Sequence, residues 1–174
     1  MAKKASQLKP QDIVLLLKLL ANSSRSYRVM DLAHELGISS AEISHGFYRL
    51  EKAQLVSPKD RKPLRENALE FLLHGLKYVF PVKLEAVSRG IPTAHSAKPL
   101  SKKISSDKDD QYIWPYAEGE VRGHSIAPLY PSVPEACLKD QNLYELLALC
   151  DGVRIGRARE RVLAAEELER RIRE

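Results

Sequence analysis

The chain has few cysteines and no long apolar run, and both deficits limit what it can be. Its 174 residues contain two cysteines, Cys137 and Cys150, which do not form a Cys-x-x-Cys pair. They are expected to be reduced, buried thiols of a cytoplasmic protein. No apolar run approaches the roughly 18 residues that a transmembrane helix needs. We therefore expect no membrane association.

Histidine, cysteine and serine, which often form catalytic or metal sites, are present, but their spacing does not match that of known sites. The sequence has no glycine-rich loop of the kind that holds phosphates. Its five histidines do not show the His-x-x-x-His or His-Glu spacing of metal ligands. Nucleophilic side chains lack the partner motifs that would activate them. These absences predict a protein that is not an enzyme, with no catalytic residues, no metal site and no cofactor.

The most informative stretch is Tyr27 to Val56, where two short helical patterns flank the turn Gly37-Ile38-Ser39. The first pattern covers residues 29–36. Gly37 suits the end of a helix, because glycine reaches positive φ without steric cost. Ser39 or Ser40 can cap the second helix, in which three apolar residues recur at helical spacing: Ile43, Phe47 and Leu50. This pattern predicts a helix-turn-helix whose second helix enters a DNA major groove.

The segment DLAHELGISSAEISHGFYRLEKAQLV resembles the core of winged-helix transcriptional regulators of the MarR and ArsR type. The resemblance rests on four short motifs: Leu36-Gly37-Ile38-Ser39, Ser44-His45, Leu50-Glu51 and Leu55-Val56. The chain departs from the family pattern at Gln54, where glycine is usual, and at His45, where arginine is common. The resemblance implies a winged helix-turn-helix over residues 1–80. It says nothing about residues 81–174.

Positive charge is concentrated in the same part of the chain. Residues 1–66 contain 12 Lys and Arg against 7 Asp and Glu, which gives +5. Residues 67–139 contain 9 against 8, and residues 140–174 contain 7 against 8. The whole net charge of +5 therefore lies on the helix-turn-helix segment, where neutralisation of DNA phosphates would require it.

The predicted DNA contacts fall into two groups. The turn and the outward face of the second helix should meet base edges and nearby phosphates, with Arg28 before the first helix touching the backbone; the residues are Ser39, Ser40, Ser44, His45, Tyr48 and Arg49. The basic turn that begins at Pro58 would be the wing, with Lys59, Arg61 and Lys62 along the phosphates or in the minor groove. An ordinary charged surface loop is the alternative for this turn.

The second half of the chain changes character. Seven of the ten prolines fall between Pro81 and Pro134, a density that disfavours long helices and central strands. Helical periodicity returns after Pro134 and is clear from Arg157 to Arg173. Overall, the sequence predicts a mainly α fold: a winged helix-turn-helix with a small β-wing, a proline-rich irregular middle and a helical C-terminal region. Residues 81–174 would then serve dimerisation, effector binding or partner binding.

A cluster of four arginines marks the C-terminal half: Arg154, Arg157, Arg159 and Arg161. These side chains could bind an anion or an acidic partner. Alternatively, they form the solvated start of a helix and pair with neighbouring carboxylates. The local balance of charges favours this second interpretation.

The favoured functional interpretation is a sequence-specific DNA-binding transcriptional regulator, a repressor that acts as a homodimer on double-stranded DNA. One recognition helix reads only a few base pairs, and a dimer reads two half-sites. The first and last helices also offer apolar stripes for pairing. An alternative of a different class is an antitoxin-like interaction protein, which would bind a partner protein through its C-terminal half and also bind its own promoter.

Overall fold

The computed structural model describes residues 7–105 and 107–174. In this part of the chain the helices and strands follow in the order α1 Pro10–Ala21, α2 Val29–Leu36, α3 Ser40–Lys52, α4 Arg65–Glu70, α5 Leu76–Val79, β1 Leu84–Pro92, β2 Tyr112–Pro115, β3 Val121–Ile126, α6 Val133–Lys139, α7 Gln141–Ile155 and α8 Ala158–Arg173. A π-helical turn, Phe71–Gly75, joins α4 to α5.

Helix α1 lies at the centre of the molecule. Its residues Ile13 to Leu17 are at most 1% exposed, because α1 is covered by α3 on one side and α7 on another. An apolar helix can be stable in this setting, since every face meets another element. The ammonium of Lys18 is also buried, and it pairs with the carboxylates of Glu35 at 2.8 Å and of Asp140. One hydrophobic core therefore includes residues from both ends of the chain, from Ile13 to Ile172.

The middle of the chain forms a small mixed sheet, so the predicted irregular segment is wrong. Strand β1 pairs antiparallel with β2, where Ile91 is opposite Trp114, and antiparallel with β3, where Val87 is opposite His124. Strands β2 and β3 pair in parallel and close the sheet. The prolines do not prevent pairing, because they lie at strand ends: Pro92 is the last residue of β1 and Pro115 the last of β2.

The predicted winged helix is also corrected, because residues 7–80, which the structure describes, do not form a winged helix. After α3 the chain makes a tight loop that is closed by a single β-bridge between Val56 and Pro63. The loop is further held by the hydrogen bond from the Ser57 N–H to the Lys62 carbonyl, 2.8 Å. Pro58 and Pro63 have no N–H to extend a ladder, and α4 begins at Arg65. No room is left for the paired strands of a wing.

The helical C-terminal region is confirmed. Helices α7 and α8 pack closely on each other. Asp140 caps α7, with its side chain accepting a hydrogen bond from the Leu143 N–H at 3.0 Å. This cap uses the same carboxyl group that pairs with Lys18, so one side chain fixes both the start of α7 and its position against α1.

Candidate nucleic-acid interface

Helices α2 and α3 and the turn between them have the geometry that the sequence predicts. Gly37 ends α2 in the left-handed conformation, with φ of 63°. The Ser39 hydroxyl then caps α3 by accepting a hydrogen bond from the Glu42 N–H at 3.2 Å. Beyond α3, Gln54 also adopts a positive φ, 57°. This is the left-handed region, which glycine reaches more easily than other residues, so Gln54 holds a conformation to which its side chain is poorly suited.

Helix α3 buries one face and exposes the other. Ile43, Phe47 and Leu50 are at most 4% exposed and pack into the core. Four of the predicted DNA contacts are exposed on the opposite side: Ser40, Ser44, His45 and Tyr48. The ammonium of Lys52, which the sequence analysis did not single out, lies 5.5 Å from the centre of the Tyr48 ring and extends this surface by one turn. None of the exposed residues of α3, a helix described in full, is a carboxylate.

The expectation that Arg49 points outward is wrong. Its side chain is 7% exposed and makes two hydrogen bonds of 2.7 Å to the carboxylate of Asp12, with a third to Glu42. The carboxylate of Asp12 is fully buried and holds the pKa of the Arg49 guanidinium above its usual value. Gly46 allows the close approach, because a Cβ there would come within 3.1 Å of Asp12. Arg49 therefore joins α3 to α1 and does not face solvent.

No local signal in the sequence reveals this pair, since Asp12 and Arg49 are separated by 37 positions. Helical spacing alone also does not determine whether the Arg49 side chain is buried or exposed. Its neighbour Tyr48 is 49% exposed, so the boundary between the buried and the exposed face passes between these two residues. A long polar side chain at such a boundary can be directed either way, and here the buried carboxylate of Asp12 determines the outcome.

The loop that follows α3 carries three exposed cations: Lys59, Arg61 and Lys62. The Arg61 guanidinium lies 4.8 Å from the centre of the Phe47 ring, which fixes the loop against α3. The Asp60 carboxylate accepts the Lys62 N–H at 3.2 Å, and hydrogen bonds from Ser57 and Lys62 lower the pKa of Asp60. Within residues 7–105 and 107–174, none of the three cations forms an ion pair.

A groove of about 380 Å³ connects this loop to the segment before α2. It is lined by Arg61 and Lys62 on one side and by serine hydroxyls, Arg25 and Tyr27 on the other. Arg25 is partly neutralised, because its guanidinium donates to Glu35 at 2.6 Å. Arg28 is exposed and pairs with Asp31 at 3.1 Å. The unpaired positive charge of the groove therefore comes from Arg61 and Lys62, and the Asp60 carboxylate, which also lines the groove, offsets part of it.

The four arginines of the C-terminal cluster do not converge on one site. The guanidinium of Arg154 is buried and donates to the Asp151 carboxylate at 2.8 Å and to the Phe80 carbonyl at 2.9 Å. Arg157 pairs with Glu160 at 2.6 Å and with Asp110. Arg159 and Arg161 lie exposed on α8. The cluster is thus divided between internal pairs and solvated surface, and it does not form one cavity for a partner.

One histidine, His95, and both cysteines lie inside the structure. Cys137 and Cys150 are buried, and burial raises the pKa of both thiols. His95 is fully buried, and its Nε2 lies 2.7 Å from the Asp110 carbonyl. Over the residues that the structure describes, no group of three His, Cys, Asp or Glu side chains could hold a metal ion.

Neither the helices nor the overall sequence and fold connect this chain to a known class of protein. Among the helices that the structure describes, none combines the length and the apolar character that crossing a membrane requires. The chain matches no protein-family model, no curated protein and no solved structure.

Proposed function

We propose that the protein binds double-stranded DNA through the exposed face of α3 and the adjacent basic loop, residues 57–63, and that it acts as a sequence-specific transcriptional regulator. One observation carries the proposal: the exposed residues of α3, none of which is acidic, lie beside three exposed cations that have no ion-pair partner among the described residues. The carboxylate of Glu42, which is 22% exposed, lies 3.8 Å from His45 Nδ1 and offsets part of this charge. Helix α3 has 13 residues and is about 20 Å long. Its size suits a major groove about 12 Å wide.

The two parts of this surface would have different tasks. The hydroxyl, imidazole and phenol groups of Ser44, His45 and Tyr48 can hydrogen-bond to base edges, and they would supply sequence preference. Arg61 and Lys62 would neutralise phosphates and supply affinity that is independent of sequence. Because one helix reads only a few base pairs, we propose that two copies bind two half-sites, and that occupancy of a promoter represses it.

The first test is selection of bound fragments from genomic DNA by the purified protein at 50 mM and 200 mM salt. We expect enrichment of a short motif, or of two copies about one helical turn apart, and a lower yield at the higher salt. Recovery of DNA without any enriched motif would contradict sequence-specific regulation and leave only non-specific DNA binding.

The second test separates the basic loop from general surface charge. The double variant Arg61→Gln/Lys62→Gln removes two cations from the proposed interface. The matched control Arg159→Gln/Arg161→Gln removes two exposed arginines from α8. In anisotropy titrations against the selected DNA, the loop variant should reduce the slope of log K against log salt by about 2, roughly one per phosphate contact. The control should leave the slope within about 0.5 of the wild-type value.

Equal losses in the two double variants would mean that only overall charge matters, and would refute the assigned interface. His45→Ala should instead weaken discrimination between the selected motif and a scrambled sequence by about tenfold. It should leave the salt slope unchanged, because His45 is assigned to base contacts.

A further inference from the structure

A second groove, of about 500 Å³, lies where the end of α5 meets the sheet, and no residue of α3 lines it. The segment that leads from α5 into β1 forms one wall, and residues 127–129 form the other. The start of α1 contributes Pro10. This volume is within the usual range for small-molecule sites, about 300–1,000 Å³.

The walls of this groove are mainly apolar. Eight of the eleven lining residues are apolar or proline: Pro10, Val79, Phe80, Pro81, Val82, Ala127, Pro128 and Leu129. The other three are Lys83, Glu85 and Arg154. Lys83 and Glu85 are exposed, whereas the Arg154 side chain is 4% exposed. The groove thus combines an apolar surface with one fixed, nearly buried guanidinium, a combination of features typical of specific ligand sites.

Hydrogen bonds on two sides fix the orientation of Arg154. Its Nε donates to the Phe80 carbonyl at 2.9 Å, and its Nη1 donates to Asp151 Oδ1 at 2.8 Å. The Oδ2 atom of Asp151 is already occupied, since it accepts 2.7 Å hydrogen bonds from Thr93 and from the Trp114 indole. These hydrogen bonds fix the Asp151 side chain, and both of its carboxylate oxygens have donors. The guanidinium is therefore held in place before any ligand arrives.

The remaining nitrogen of Arg154, Nη2, has no hydrogen-bond partner within residues 7–105 and 107–174. Among the described residues, the fully buried side-chain atoms without a partner are Tyr27 Oη and His95 Nδ1. Since Arg154 Nη2 is not one of them, part of this atom is accessible to solvent. A guanidinium N–H that remains available beside an apolar wall favours an oxyanion as its acceptor. A purely apolar ligand would cover this donor without satisfying it, at a cost in binding free energy.

We propose that this groove binds a small amphipathic carboxylate. The apolar part of the ligand would lie against Phe80, Val82 and Leu129, and its carboxylate would accept a hydrogen bond from Arg154 Nη2. Lys83 and Glu85, the two exposed charged residues of the lining, carry opposite charges, so Arg154 is the group that selects an anion. This site is distinct from the proposed DNA interface, and binding to it does not depend on DNA.

Isothermal titration with octanoate, below its micellar concentration, tests the site directly. The matched probe is 1-octanol, which has the same chain length and no charge. We expect saturable binding of one octanoate per chain. Octanol should bind at least about tenfold more weakly, because it cannot form the charge-assisted hydrogen bond to Arg154. Equal binding of the two probes, or no binding of octanoate, overturns the proposal.

Two valines locate the binding. Val79 lines the groove and is 45% exposed, whereas Val162 on α8 lies outside it and is 56% exposed. Since both side chains are exposed, Val79→Asp and Val162→Asp should both fold, which far-ultraviolet circular dichroism can verify. Val79→Asp should weaken octanoate binding at least about tenfold, because it introduces an anion into the apolar wall. Val162→Asp should leave binding unchanged. If both variants bind like the wild type, octanoate binds elsewhere and the assignment fails.

Discussion

Replacement of Arg49 by alanine should destabilise the fold strongly, because it leaves a buried charge without its partner. Asp12 is fully buried, and its two carboxylate oxygens each accept a 2.7 Å hydrogen bond from Arg49. Removing one partner of such a pair costs about 3–5 kcal/mol. The Lys9 N–H also donates to Asp12, at 2.8 Å, and this bond offsets part of the loss. We therefore expect a loss of about 3 kcal/mol in the free energy of unfolding.

Urea denaturation followed by circular dichroism measures this loss, provided that the m-value stays constant. Arg28→Ala is the matched control, because Arg28 is 86% exposed in its pair with Asp31 and such pairs contribute about 0–1 kcal/mol. Adding Asp12→Asn to the Arg49→Ala variant removes the unpaired charge and should recover part of the stability. A cost of less than about 1 kcal/mol for Arg49→Ala would show that the pair with Asp12 contributes no more than an exposed ion pair. A fully stable Arg49→Ala variant with reduced DNA affinity would instead assign Arg49 to the DNA contact.

Two further predictions concern titration and reactivity. The pKa of Glu167 is lowered to about 2, chiefly by its hydrogen bonds to Arg170 and also by Arg171 and Lys103. The ionised carboxylate therefore stabilises the fold above its unfolded pKa of about 4.3, and this contribution disappears as the pH falls towards 2. Glu167→Gln should accordingly lose less stability than the wild type between pH 5 and pH 2 in acid-unfolding curves; parallel curves would contradict this. Because Cys137 and Cys150 are buried and burial raises their pKa, the native protein should resist alkylation by iodoacetamide and show two reactive thiols in urea, and rapid native labelling would contradict their placement.

The sequence correctly predicted the elements that local rules determine. The helix over residues 29–36 and its end at Gly37 are confirmed, and of the two serines predicted as possible caps Ser39 is the one that caps α3. A left-handed glycine and a capping hydroxyl act within a few residues of their positions. The exposure of Ser44 and Tyr48 also follows from helical spacing alone. Each of these predictions depends on interactions within one turn of a helix.

The predictions that failed are of two kinds. Some depend on contacts between residues far apart in the sequence, and others concern residues, such as proline, that are compatible with more than one local structure. The density of prolines in the middle segment predicts an irregular segment without central strands, but Pro92 and Pro115 stand at strand ends, where the missing N–H costs nothing. Arg49 was assigned to the outer face because its partner is 37 positions away. The apolar face of α1, one of two stripes that suggested a surface for pairing, is covered within the same chain by α3 and α7; the homodimer itself stays a prediction. None of these outcomes is encoded in a local pattern.

The ion pair between Lys18 and Asp140 also has a consequence for synthesis on the ribosome. The two residues are separated by 122 positions, which ribosomes translate in on the order of ten seconds. During that interval α1 has left the exit tunnel, while its covering helix α7 does not yet exist. The face of α1 that α7 covers in the folded protein must remain in contact with water or with a chaperone until α7 is complete. The order of translation thus delays the closure of this core until the end of the chain.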